Sequence, residues 1–391
     1  MKHALLFICL LVCFPVITNA QETTPDTTAA PLFSPEKLDL LQYIRVDLKM
    51  RLGFRAYSLR GGTHDYQGAQ FVNEYTALQI SGKVHEKIGF TFRNRFNKNS
   101  AIQTLDELAN NIELAYIDIQ AAPGLNLQIG KMFAYFGGYE YAMDPINILL
   151  YNDIQSGIKN YVTGVGATYQ LSDAHKIGLQ VLNSRTMHFQ DKYAHAAPNI
   201  KEPDWPVEFV VNWIGDFFGG KFQTNYSFSY AEEALHKGTY FVTLGHRYTT
   251  DKFRIMYDFA YSNEEIDTKG IASTIMNATV APEDKQVAQD VSYLGNWLRA
   301  EYQISPKFSA SLALMTGITS HKTSSHHRLR TRYGAVPAVY YQPFKDTNVR
   351  FFLAYIGQYF DYSNYAITNY GASSYNRNAV RFGIIAPLWI L

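Results

Sequence analysis

Residues 44 to 59 read IRVDLKMRLGFRAYSL. From Ile44 to Ala56 every even position is apolar, while the odd ones carry Arg45, Asp47, Lys49, Arg51, Gly53 and Arg55. Successive side chains of a strand point to opposite faces, so a period of two predicts a β-strand with one greasy and one charged side. The run is longer than the five or six residues usual in soluble sheets. It reaches the roughly 9–11 that a tilted strand needs to cross a bilayer. The same alternation recurs down the chain, most cleanly in Lys221–Tyr230 and Lys252–Tyr261. It predicts about sixteen strands between Tyr43 and Leu391. The last, Asn376–Leu391, puts Val380, Phe382, Ile384, Ala386, Leu388 and Ile390 on one face.

The connections sharpen the prediction. Short links such as 81–87, 121–124, 172–175, 250–251 and 305–306 alternate with longer ones, of which 136–160, 185–206 and 262–290 are the largest. Tight turns at one end and extended loops at the other are the architecture of an outer-membrane β-barrel; soluble sandwiches have no reason to sort loops by parity. Lipid offers no hydrogen-bond partner, and a closed antiparallel barrel pairs every backbone group. The predicted fold is therefore an all-β transmembrane antiparallel barrel of about 16 strands over 43–391, with short periplasmic turns and long external loops. Its apolar faces meet hydrocarbon and its charged faces an aqueous lumen.

Composition adds an export route and removes several functions. MKHALLFICLLVCFPVITNA reads as a signal peptide over 1–20, and Gln21–Gln42 as a flexible periplasmic leader. Both cysteines, Cys9 and Cys13, lie in the signal, so no disulfide framework is expected. Without Lys2, basic and acidic residues balance, which argues against nucleic acid as a partner. No GxSxG, CxxC or HExxH motif stands out, so neither an enzyme nor a cofactor is expected. His64 with Asp65, and Asp361 with Ser363, are pairs that any loop-rich chain of this length offers.

Ala115-Tyr116-Ile117-Asp118, the turn 121–124, Leu127-Gln128-Ile129-Gly130-Lys131 and then Phe136-Gly137 resemble the N-terminal hairpins of the phosphate-selective porin O and P family. Tyr135 stands where that family has proline. The resemblance implies a homotrimeric sixteen-stranded porin whose third external loop, here 136–160, folds into the lumen as a constriction. It also implies passive diffusion of small hydrophilic solutes, with a preference for anions or phosphate. A barrel serving protein secretion or envelope assembly is the alternative.

The lumenal face of the first strand supplies the pore-lining candidates Arg45, Lys49, Arg51 and Arg55, joined by Arg93 and Arg95. Excess lumenal base lowers the barrier for anions, and arginine holds oxyanions through paired hydrogen bonds. The constriction-loop candidates point the other way: Tyr139 accompanies the acids Glu140, Asp144 and Asp153, and acids at the narrowest point favour cations. His321–Arg332 (HKTSSHHRLRTR) reads as a solvated external loop touching lipopolysaccharide phosphates, with no standard metal-ligand spacing. Trp205, Trp213, Trp297, Tyr340, Tyr341, Tyr359 and Trp389 suit interfacial girdles beside membrane lipid.

Overall fold

The fold is described from a computed structural model, over residues 44–61, 65–101, 105–322 and 326–391. The expected signal and leader lie outside these residues, as does His64. Sixteen antiparallel strands form one closed barrel in which each strand pairs with its sequence neighbours and β1 pairs with β16. In order they are β1 Ile44–Arg60, β2 Tyr66–His85, β3 Ile88–Arg95, β4 Ile112–Ala122, β5 Leu125–Phe133, β6 Tyr161–Ser172, β7 His175–Asn183 and β8 Val207–Phe217. Then follow β9 Phe222–Ala234, β10 Lys237–Thr249, β11 Phe253–Ile266, β12 Gln289–Ser305, β13 Phe308–Lys322, β14 His326–Tyr341, β15 Arg350–Tyr362 and β16 Tyr375–Trp389.

The seam runs from Asp47 opposite Trp389 to Arg60 opposite Asn376. On its outer face Phe54 sits against Phe382 and Phe71, with ring centroids 5.3 and 5.1 Å away. Ile117, Ile129, Val165, Leu179, Phe209, Phe228 and Leu353 continue the exposed apolar belt. These are the faces that alternation assigns to lipid.

Three departures from strict alternation decide where charges go. Counting back from the outward Ile80, Leu78 and Thr76 would place Glu74 in lipid. Instead Arg51 pairs with Tyr75 and Leu52 with Asn73, so Glu74 is an extra residue in a β-bulge and turns inward. Glu113 is skipped in the same way between Leu114 and Ile112 on β4, and is 1 % exposed. Lys131 would follow Ile129 outward, but Gly130 has φ 125° and Lys131 enters the interior, 2.9 Å from Asp106. A β-carbon on Gly130 would come within 2.3 Å of the Ala115 carbonyl oxygen.

Some sequence expectations are corrected. The external links between β9 and β10 and between β13 and β14 are not long loops, because both hairpins continue as paired strand above the wall. His321–Arg332 is therefore mostly strand, and Arg330 and Arg332 point inward rather than at lipopolysaccharide. Trp297 and Tyr340 are buried on the inner face, and no girdle includes them. Neighbours Tyr340 and Tyr341 cannot share a face, and it is Tyr341 that looks outward.

Gly130→Val is expected to strain the backbone and pull Lys131 off Asp106, destabilising the barrel by about 1–3 kcal/mol. Denaturant titration of the heat-modifiable gel shift measures the change; an unshifted midpoint contradicts this account of Gly130.

Candidate functional site

The segment between β5 and β6 lies inside the barrel and is held at every turn. It contains α1, Tyr139–Ala142, a 3-10 turn at Pro145–Asn147, and α2, Asp153–Gly157. Gly138 brings its start against the far wall: its N–H donates to the Asn225 carbonyl (3.1 Å), and Asn225 donates back to the Gly138 carbonyl (3.2 Å). A side chain there would press on Thr243 and Asp258. Asp258 accepts from the Tyr139 (2.8 Å) and Glu140 (2.6 Å) N–H groups at the opening of α1. The loop's far end is fixed as firmly. The Asn152 amide donates to the Asn296 and Thr316 carbonyls, both at 2.9 Å, and the Asp153 carboxylate meets Arg330 and Arg332.

Between these anchors, arginines clasp the loop's backbone. Arg51 donates to the carbonyls of Ile146 (2.8 Å) and Ile148 (2.7 Å), and Arg381 to that of Leu149 (3.2 Å). Arg299 reaches the Asn147 carbonyl and Arg350 the Asn147 side chain. Bonds from a charged donor to buried carbonyls are worth more than neutral ones, so these contacts fix the loop's path. Beneath them Ile146 and Leu149 pack with Trp297, Met315, Ile356 and Ile385.

The ten candidate residues therefore divide by task. Lys49 holds Asp144 at 2.6 Å, and Asp144 in turn accepts from the Ile146 N–H. Arg51 pairs with Glu74 (2.8 Å) as well as with the loop. Arg45 pairs with its neighbour Asp47 near the turn side. Arg55 lies 5.4 Å from the Tyr57 ring and opposite Arg381 on the seam. Arg93 and Arg95 both face Glu113, at 3.0 and 3.6 Å. Tyr139 lies under the Arg247 guanidinium at 5.1 Å. Glu140 is buried and accepts from the Asn152 N–H (2.6 Å), tying α1 to α2. That burial raises its carboxyl well above the usual carboxylate range. The expectation that the loop's acids present a cation-favouring rim does not fit this geometry. Glu140 and Asp153 are buried, and Asp144 and Asp153 already carry cationic partners.

Alternation missed Glu74, Glu113 and Lys131, which strict period two sends outward. The glycine at 130 was their one local sign. Alternation turns Asp258, Asn225 and Arg381 towards the lumen, but no local pattern marks them as partners of the loop.

External loops pack over the same half of the barrel. Helix α3, Phe189–Lys192, lies between β7 and β8, α4, Ile271–Met276, between β11 and β12, and α5, Asn364–Tyr370, between β15 and β16. Ala272 and Ile275 of α4 and Ala366 of α5 share one core cluster with Phe136 and Ile154 of the inner loop. Space is left along the β1–β6 wall, a cavity of about 310 Å³. Arg51, Arg95, Lys98, Lys131, Lys159, Tyr75, Tyr151 and Tyr161 line it, with Glu113 its sole lining carboxylate among the described residues.

This barrel and inward loop can be set beside known proteins. The family described as phosphate-selective porin O and P matches residues 44–384. The chain belongs to that family. It is a porin of the outer membrane, and a channel rather than an enzyme by family and fold. No curated protein matches the sequence. Among solved structures, the porin is similar to the outer membrane channel DcaP of Acinetobacter baumannii, with 13% identity and TM-score 0.61 over 89% of this chain and 98% of that one. It is also similar to an anion-selective porin from Comamonas acidovorans (8%, 0.57, 88% and 100%) and to OmpF of Salmonella typhi (12%, 0.51, 87% and 97%). Identities this low speak for the fold alone.

Asp153→Ala should leave Arg330 and Arg332 buried without their carboxylate, costing about 3–5 kcal/mol. The freed end of the loop should also make single-channel current noisier. Unchanged stability together with unchanged noise would show that this clamp does not hold the loop.

Proposed function

We propose that this porin conducts small hydrophilic anions, phosphate among them, as a homotrimer with a separate passage in each subunit. The passage runs between the inner loop and the β1–β6 wall, with the loop as its constriction. The observation that carries the anion preference is the sharing of carboxylates there. Arg93, Arg95 and Lys98 all face the one carboxylate of Glu113, at 3.0, 3.6 and 4.0 Å. Arg51 and Arg381 share Glu74, at 2.8 and 3.2 Å. Cations outnumber acids in both groups, and Arg51, Arg95 and Lys98 among them line the space left open to solute. The Tyr75, Tyr151 and Tyr161 rings stand beside these cations, where hydroxyl donors suit an oxyanion. The fold-level likeness to a porin described as anion-selective supports the same reading.

Arg45, Lys49 and Arg55 lie along this wall, and Lys49 acts there mainly by fixing Asp144. Outer-membrane lipid and lipopolysaccharide surround the apolar belt. Trimers are tested by conductance steps that close in threes and by a heat-modifiable band of three times the monomer mass.

The deciding measurement is the reversal potential of the purified porin in a planar bilayer under a KCl gradient. Anion preference is expected, and cation preference would overturn the reading. A folded barrel without conductance would move it to the secretion or assembly role. One charge about 4 Å from an ion in watery surroundings is worth ~1 kcal/mol, so Arg95→Ala should cut anion permeability about fivefold, and the anion-to-cation ratio by more because cations gain what anions lose.

Lys98 adds a pH dependence. Burial, reinforced by Arg95, Lys131 and Arg93, lowers its pKa against the opposing pull of Glu113. Lys98 therefore loses its charge at a lower pH than a free lysine, and anion preference should decline as alkaline pH is approached. In Lys98→Arg that decline should vanish; its persistence would place the titration elsewhere.

A further inference from the structure

Three cavities follow one another along the open wall. On the external side, one of about 450 Å³ lies among the inner loop, α3 and the loop after β11. It meets the 310 Å³ cavity at Ile158, Lys159 and Thr186, which line both. On the turn side, between β1 and β7, a mouth of about 700 Å³ opens towards the periplasm.

Their fixed charges differ. The external cavity carries four bases and four carboxylates, and every base has an acidic partner: Lys159 meets Glu208 (2.9 Å), Lys192 meets Glu233 (2.7 Å), and Arg185 and Lys269 hold Glu202 and Glu264. The middle cavity is basic on balance: Arg51, Lys131 and Lys159 meet Glu74, Asp106 and Glu208, but Arg95 and Lys98 share Glu113 with Arg93. The periplasmic mouth again has an excess, with Arg45, Lys83, Lys87 and Lys176 against Glu86 and Asp118. The path is thus close to neutral outside Lys159 and positive from there inward.

From this we infer that the porin rectifies, and that Lys83, Lys87 and Lys176 help to set its directionality. The inference rests on the anion reading above. In a positive zone anions carry most of the current, whereas in a neutral zone anions and cations share it. When anions are driven outward, they reach the step faster than they leave it, and cations arrive from the external side without passing on. Salt accumulates at the step and conductance rises. Driving anions inward depletes the step, and conductance falls. The effect needs fixed charge that salt does not screen across the passage. The screening length is about 10 Å at 0.1 M and about 3 Å at 1 M.

The test is the current–voltage curve of single channels in symmetric KCl. Orientation is read in Thr186→Cys from one-sided block by a maleimide polymer too large to pass. At 0.1 M, current with the external side positive should exceed the reverse by about twofold, and at 1 M the curve should become nearly linear. The variant Lys83→Gln/Lys87→Gln/Lys176→Gln changes side chains at the turn-side mouth. It should bring the 0.1 M ratio towards one while still forming channels. A linear wild-type curve, the opposite sign, or an unchanged ratio in the triple variant would overturn the inference. A linear curve with anion preference intact removes rectification only; loss of anion preference removes the reading beneath it.

Discussion

A sheet surrounded by hydrocarbon must leave no amide or carbonyl without a partner, and the ladder between β1 and β16 meets that condition. Once it closes, strand number and register fix which side chains face inward and at what height. A slip of one residue would carry Arg45, Lys49, Arg51 and Arg55 into lipid. The price of an ionised group there is several kcal/mol near the bilayer midplane, so the register tolerates no alternative. The bulges at Glu74 and Glu113 and the turned backbone at Gly130 are local answers to the same constraint. Each brings inward a charge that regular pleating would have sent out, and places it beside an opposite charge.

The rigid wall then positions the loop. Asp258 and Asn225 hold its start, Arg330 and Arg332 its end, and Arg51 and Arg381 its middle. Most of the guanidinium groups that a tally of lumenal base would assign to solute are engaged with the loop's carbonyls and acids. In the proposed passage, what remains for solute is the surplus on the β1–β6 side, where Arg93, Arg95 and Lys98 share the one carboxylate of Glu113. Selectivity in this porin is a residue of its architecture: the loop leans to one wall, and the other wall keeps its charge.

Amphipathic alternation was legible throughout. All sixteen strands lie where period two places them, because a lipid face and a water face write their demands on alternate residues. The family hairpins around Ala115–Asp118 and Leu127–Lys131 were equally visible. The acids Glu140, Asp144 and Asp153 were visible as residues, but their partners were not. Their contacts reach residues far away in sequence, such as Arg330 and Arg332, and no local pattern records those. The aromatic girdle was misread at Trp297 and Tyr340, since an aromatic near a strand end suits a membrane interface and a packed interior equally well.

By itself the sequence determined the barrel, its strand count and the inward placement of most charges, since each follows from a local period under a uniform solvent constraint. The tertiary structure alone decided which charges are neutralised, which way the inner loop leans and where the passage is left. Those depend on single departures from the period and on meetings across the barrel, where Coulomb attraction and hydrogen bonding join residues that the chain keeps apart.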